Sequence, residues 1–231
     1  MKILCLNTWY GGKLKNEITQ FFHSHARSVD IFCLQETVDA FDTIVEPFLD
    51  SYTRIQHAKS ISEQESYTLS ILIRKDIKIH EHGTILSAIP KTGLDQWVIV
   101  ERGNEKYWIC NFHGIAYPGE KEDNPERLFA SRALIEKGAH YTLPRIIMGD
   151  FNLLPTTESI TMFDSEGYRD LIKEYEIKTT RNEHTWNRYP EKKLLHSDYA
   201  FVKGDVRVEA FSVLPDIVSD HQPLMLDVSV V

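Results

Sequence analysis

Short apolar runs that end on Asp, Asn, Glu or His constrain this chain more than any other feature of it. Arg145-Ile146-Ile147-Met148 leads into Gly149-Asp150-Phe151-Asn152, and Ser219-Asp220-His221-Gln222-Pro223 leads into Leu224-Met225-Leu226-Asp227-Val228. Runs of this length suit buried strands better than helices. A buried strand holds its ends rigidly, so polar side chains placed there are able to meet in a cleft. Carboxylate oxygens beside an imidazole suit a divalent cation and a phosphate.

The same punctuation recurs along the chain. Strands are expected over residues 2–6, 30–34, 67–74, 77–80, 97–102, 107–112, 145–148, 185–186, 199–202, 206–213 and 224–230, separated by charged or Gly-containing turns. Residues 16–26 carry Ile18, Phe21, Phe22 and Ala26 at the spacing of one helical face. A second helix is expected over 41–49, disturbed at its end by Pro47. A third runs over 125–140, with Pro125 in the first turn and Leu128, Phe129, Leu134 and Ile135 on one side. A short one follows Pro155, capped by Thr156 or Thr157. Strands dominate and few connections look like βαβ crossovers, which gives an α+β fold with helices covering a largely antiparallel double sheet.

No repeat or Pro/Gly/Ser linker divides the 231 residues, a length that suits one domain over residues 1–231. No window reaches the roughly 18 apolar residues of a membrane span. Only six residues precede Asn7, too few for the apolar region of a signal peptide. Cys5, Cys33 and Cys110 each sit inside an apolar run and read as buried core thiols, so a reducing cytoplasm is the expected compartment. The net charge of −8 argues against a passive grip on nucleic acid. It does not exclude a nuclease, because a bound cation supplies local positive charge.

Six polar sites stand at strand ends, in the order Leu6-Asn7, Leu34-Gln35-Glu36, Asn111-Phe112-His113, Gly149-Asp150-Phe151-Asn152, Ser197-Asp198-Tyr199 and Ser219-Asp220-His221. A strand-end Asp or Asn taken alone is usually a turn cap. Six together, rich in oxygen donors and without a Cys/His cluster, suit Mg²⁺ or Mn²⁺ better than zinc. In kind and order they resemble the endonuclease/exonuclease/phosphatase superfamily of metal-dependent phosphohydrolases, over nearly the whole chain. The resemblance implies a four-layer α/β/β/α sandwich. It further implies that Glu36 and Asn7 ligate Mg²⁺ (or Mn²⁺), with Asp220 contributing to the same region. Asp150 would position or deprotonate the attacking water, Asn152 and His113 would bond the phosphate, and His221, held by Asp198, would stabilise charge in the transition state.

One position departs from that pattern: Trp9 stands where apurinic-endonuclease relatives carry an acidic residue. Substrate candidates beyond the motifs are Trp9, Arg127, Trp186 and Arg188. Arg127 and Arg132 read first as solvated or core-bridging arginines, Trp186 as core, and Trp9, Tyr10 and Tyr117 as either a stacking rim or local packing; Tyr189 accompanies Arg188. The implied activity is hydrolysis of a phosphodiester or phosphomonoester. Nucleic acid, at a strand end or modified terminus rather than a long duplex, comes first as substrate. A small phosphorylated molecule or phospholipid comes second, and a non-catalytic binding module third.

Overall fold

The computed structural model describes residues 1–61, 66–188, 190, 191 and 193–231. Its strands are β1 (Lys2–Asn7), β2 (Ile31–Gln35), β3 (Tyr52–Ser60), β4 (Ser66–Arg74), β5 (Lys78–Gly83), β6 (Leu94–Arg102), β7 (Glu105–His113), β8 (Arg145–Asp150), β9 (Arg169–Asp170), β10 (Asp198–Lys203), β11 (Val206–Val213) and β12 (Leu224–Val230). They form two six-stranded sheets, ordered β11-β12-β1-β2-β4-β3 and β5-β6-β7-β8-β10-β9. The two sheets share one plan. The central pair of each, β1–β2 and β7–β8, is parallel, and the other pairings are antiparallel.

A parallel pair needs a crossover, and a helix supplies each one. Lys15–His25 links β1 to β2, and Pro125–Ala139 links β7 to β8. The first buries Ile18, Phe21 and Phe22 against Leu4, Leu6, Phe32 and Leu34 on the outer face of its sheet. Under the second, Leu134 and Ile135 join the main core, as do Ile160 and Phe163 of the helix Glu158–Ser165. The result is an α+β sandwich of two mixed sheets with helices outside. Sheets covered on both faces explain why β1, β2 and β8 read as unbroken apolar runs rather than alternating ones.

Three local expectations are corrected, and the edge strand β3 is an addition to them. Residues 185–186 lie in the helix Glu183–Arg188, not in a strand; the Thr-Trp pair has β propensity, but here its segment closes around the Ser219–His221 loop. The strand β3 carries too many polar residues to show in the sequence, because it is the edge of its sheet. Residues 41–49 are broken into the helix Asp42–Val45 and the 3-10 turns Asp39–Phe41 and Glu46–Phe48. Thr157 occupies the N-cap of Glu158–Ser165, but its hydroxyl donates to the Leu154 carbonyl instead of capping.

Candidate active site

Side chains alternate between the faces of a strand, so one parity decides what enters the space between the sheets. Ile3 and Cys5 of β1, and Ile31 and Cys33 of β2, belong to the central core. The next residues of the same parity are Asn7 and Gln35. In the facing sheet Asn111 and His113 of β7, Asp150 of β8 and Asp198 of β10 complete the edge, in a register that aligns His113 with Asp150 and Asp150 with Asp198. Gln35 Nε2 donates to Asn111 Oδ1 at 2.5 Å, a polar tie between the two sheets just below the cleft. Core and cleft are thus one layer whose chemistry changes at the strand ends.

Phe151 fixes the loop after β8. It is buried against Phe112, Phe163, Tyr199 and Phe201 on the outer side, at ring-centroid distances of 4.9 to 5.7 Å. Asp150 and Asn152 on either side of it turn into the cleft. Gly149 is required here, since a Cβ at that position would lie 1.9 Å from the Phe112 carbonyl oxygen. Among the described residues, seven non-glycine residues adopt positive φ. Five of them, Trp9, Tyr10, Glu36, Lys121 and Asn152, line the cleft, so backbone strain is concentrated at it.

The polar groups converge tightly. Asn7 Nδ2 donates to Glu36 Oε1 and to Asp150 Oδ2, each at 3.1 Å. His113 Nε2 faces the same two oxygens at 3.9 and 3.8 Å. The backbone N–H of Asn152 donates to Asp150 Oδ1 at 2.9 Å, and its side-chain Oδ1 accepts from Lys121 Nζ at 2.5 Å. On the far side His221 Nδ1 lies 2.8 Å from Asp198 Oδ1, while its Nε2 lies 3.6 Å from Asp150 Oδ2 and 3.9 Å from Asp220 Oδ1. Asp198 Oδ2 also accepts from Thr180 Oγ1 and Ser197 Oγ, both at 2.9 Å.

The two histidines are driven in opposite directions. Burial pushes His113 below the ordinary imidazole value, against the pull of Asp150 and Glu36. Burial and Arg181 also act to lower His221, but Asp198, Asp150 and Asp220 outweigh them and its pKa is raised. Burial alone would raise the carboxyl of Asp150; His221, Arg181, His113 and Lys121 instead hold it at about 2. An imidazole whose charged form is disfavoured, one whose charged form is favoured and a carboxylate held ionised therefore face one space.

Two sets of residues are candidates to hold a metal. Asp150, Asp198 and His221 bring ligand atoms within 4.8 Å of one another. Asp198, however, is turned to His221 Nδ1 at 2.8 Å, with Thr180 and Ser197 on its other oxygen, an arrangement that suits orienting the ring. Glu36 and Asp150 are the better pair: their oxygens crowd around the same two nitrogens, Asn7 Nδ2 and His113 Nε2, a concentration of negative charge that fits a hard divalent cation, with Asn7 and Asp220 adjacent.

A cavity of about 260 Å³ opens over these groups, lined also by Trp9, Tyr67, Lys121, Arg181 and Arg188. Tyr67 stacks on His113 at 4.1 Å. Of the substrate candidates, Trp9 and Arg188 are on this wall; Trp186 and Arg127 are not. Trp186 donates Nε1 to the Leu194 carbonyl and lies under Lys193. Arg127 is 3% exposed, its guanidinium donating to the carbonyls of Ile115, Pro118 and Glu122. That bonding corrects the substrate reading of Arg127: it clamps the loop that carries Lys121. Tyr189 lies outside the described residues. Lys121 and Arg181 escape a reading of the sequence because each stands in an irregular loop, where no periodicity marks a residue as special.

The fold and the site together define a phosphoric-ester hydrolase. A family model described as the Endonuclease/Exonuclease/phosphatase family matches residues 4–221, and the chain belongs to that family. Comparison with curated protein sequences returns no match. Similar solved structures include a mannosyl-6-phosphatase of Bacteroides thetaiotaomicron, 21% identical with a TM-score of 0.79 over 99% of each chain. The human Nocturnin catalytic domain with bound sulfate is 17% identical with a TM-score of 0.78, over 100% of this chain and 93% of that one. TDP2 of D. rerio complexed with a single-strand DNA product is 16% identical with a TM-score of 0.73, over 99% of this chain and 98% of that one. At these identities the likeness concerns the fold. No described helix is long and apolar enough to cross a membrane.

Proposed function

We propose that the chain, acting as one catalytic domain, hydrolyses a phosphoester by direct attack of water, with Mg²⁺ or Mn²⁺ held by Glu36, Asn7 and Asp150 and approached by Asp220. The observation that carries this reading is the crowding of Glu36 and Asp150 around Asn7 Nδ2 and His113 Nε2, beside the Asp198–His221 pair. When bound, the metal would offset negative charge on the phosphoryl oxygens.

The side chains divide the remaining work. Asp150, ionised and fixed by Asn152 and Asn7, accepts a proton from the attacking water and aligns it. His221 keeps Nδ1 turned to Asp198, which leaves Nε2 directed at the site. As an imidazolium it donates to a phosphoryl oxygen as charge builds there. Asn152 and His113 contact the same phosphoryl group, and no covalent enzyme intermediate is needed.

A cavity of about 260 Å³ walled by Trp9, Tyr67, Tyr117 and Leu194 takes a compact group. We infer that the substrate is the end of a nucleic-acid strand, its terminal base stacked on the aromatic wall, rather than an internal step of a duplex. The net charge of −8 points the same way. The similarity to a mannosyl-6-phosphatase supports a second reading, a small phosphorylated molecule in the same cavity. Free, buried Cys5, Cys33 and Cys110 suit a reducing compartment such as the cytoplasm.

The experiment that separates these readings is a Mg²⁺- and Mn²⁺-supplemented screen of single strands with blocked or phosphorylated ends, duplex DNA, sugar phosphates, inositol phosphates and sphingomyelin. Strand ends are expected to turn over fastest. Preference for a sugar phosphate would replace the first reading with the second, and inactivity on every substrate with either metal would contradict both.

A further inference from the structure

Two arginines of this chain are almost equally buried and are held in very different ways. Arg127, at 3% exposure, donates to three backbone carbonyls at 2.5, 2.8 and 3.2 Å. Arg181, at 6% exposure, reaches only Thr185 Oγ1 and Asp220 Oδ2, each from Nη1 and each at 3.4 Å. Nε has no partner in either arginine, but both terminal nitrogens of Arg127 are bonded, whereas among the described residues Nη2 of Arg181 makes no bond. Both contacts stand at the outer limit of a hydrogen bond. Burying a guanidinium with so little compensation is costly, and a buried donor without a partner calls for an explanation.

A structural counter-ion for Asp220 is the plain alternative. It would be expected to make a short, two-pronged contact with the carboxylate. Arg181 makes a single long one. Its backbone, by contrast, is firmly placed: it bridges to His221, its N–H donates to Thr179 Oγ1, and Gln222 N donates to the neighbouring Thr180 carbonyl at 2.8 Å. The side chain lines the cavity over Asp150, Asp220 and His221.

We propose that Arg181 is a phosphate-contacting residue, whose spare N–H groups bind non-bridging oxygens of the substrate's phosphoryl group from the Asp220 side of the cavity. This rests on the hydrolase reading above. A guanidinium suits the task because it offers several donors in one plane, matched to a phosphate, and keeps its charge at any working pH. It would also add positive charge on the side of the wall that carries Asp220, to a cavity lined by Glu36, Asp150, Lys121 and Arg188.

The test compares the wild-type chain with Arg181→Gln and Arg181→Lys, using inorganic phosphate as probe and an aryl phosphoester as substrate. Phosphate affinity is read from inhibition and, independently, from the rise in unfolding temperature that phosphate produces. Arg181→Gln is expected to weaken phosphate binding at least about tenfold and to lower kcat/KM by about 10²-fold. Arg181→Lys restores part of both, since an ammonium supplies charge without the planar fork.

Wild-type phosphate affinity in Arg181→Gln, with only a lowered unfolding temperature, would overturn the proposal and leave Arg181 as a structural partner of Asp220. Should Arg181→Gln fail to fold, Arg181→Lys carries the same test, because it keeps a charge beside Asp220; full phosphate affinity there overturns the proposal too. A wild-type chain that neither hydrolyses nor binds phosphate contradicts the hydrolase reading itself. A wild-type chain that does both, matched by Arg181→Gln, contradicts the assignment of Arg181 alone.

Discussion

His221 and His113 share one site, yet the carboxylates around them give each a different role. Asp198 meets His221 at 2.8 Å and is itself held by Thr180 and Ser197, so it acts by fixing the ring and favouring its charged form. Substituting Asp198→Asn keeps the size but places a neutral group against Nδ1. Turnover should fall by about 10- to 100-fold with KM little changed, read from steady-state kinetics on an aryl phosphoester. An unchanged kcat would show that His221 does not depend on this contact. Sequence alone singles out Asp150, Asn152, Asp198 and His221, because each sits in a short motif beside an apolar run. It does not separate Arg127 from Arg181. Both are isolated arginines outside strands, and only the acceptors that folding brings to Arg127 show which is structural.

At the scale of elements, the site depends on what lies behind it. Phe151 carries the β8 loop on four aromatic rings, and Phe151→Ala should destabilise the fold by about 3–5 kcal/mol in denaturant titrations. Turnover should drop along with stability, since Asp150 and Asn152 flank the cavity left behind. Asp95 performs a similar service for the connection between β5 and β6, where it accepts from the N–H groups of Ile85 and Leu86. Burial, opposed by those hydrogen bonds and by Lys59, pushes its pKa up to about 6. A carboxyl that holds its proton more tightly when folded favours the native state fully below about pH 4. That contribution is lost as pH rises through 6, to the extent of about 3 kcal/mol. Asp95→Asn should flatten the stability profile over this window; a profile with the same slope in the variant would mean that another group titrates there. The central strands are legible in the sequence because both of their faces are buried. The edge strand β3 is not, because water faces much of it and its residues mix polar with apolar.

At the scale of the whole molecule, the proposed catalytic groups come from two sheets that share a plan. Asn7 and Glu36 follow β1 and β2, while His113 and Asp150 end β7 and β8, so the site exists only where the sheets pack. The order of the motifs along the chain makes the family legible from the residues alone, and the family match over residues 4–221 agrees with that. The chemistry of the cavity wall is less legible. Lys121, Arg181 and Tyr67 reach it from irregular segments or the start of a strand, and their meeting depends on tertiary contacts alone. The central claim is that these converging groups hydrolyse a phosphoester with a divalent metal. The most direct test measures hydrolysis of an aryl phosphodiester and an aryl phosphomonoester after chelation and after return of Mg²⁺ or Mn²⁺, in the wild type, Asp150→Ala and His221→Ala. Activity should vanish on chelation, return with metal, and fall at least about 10²-fold in both folded variants. Hydrolysis that survives chelation, or near-normal turnover in either variant, would contradict the account.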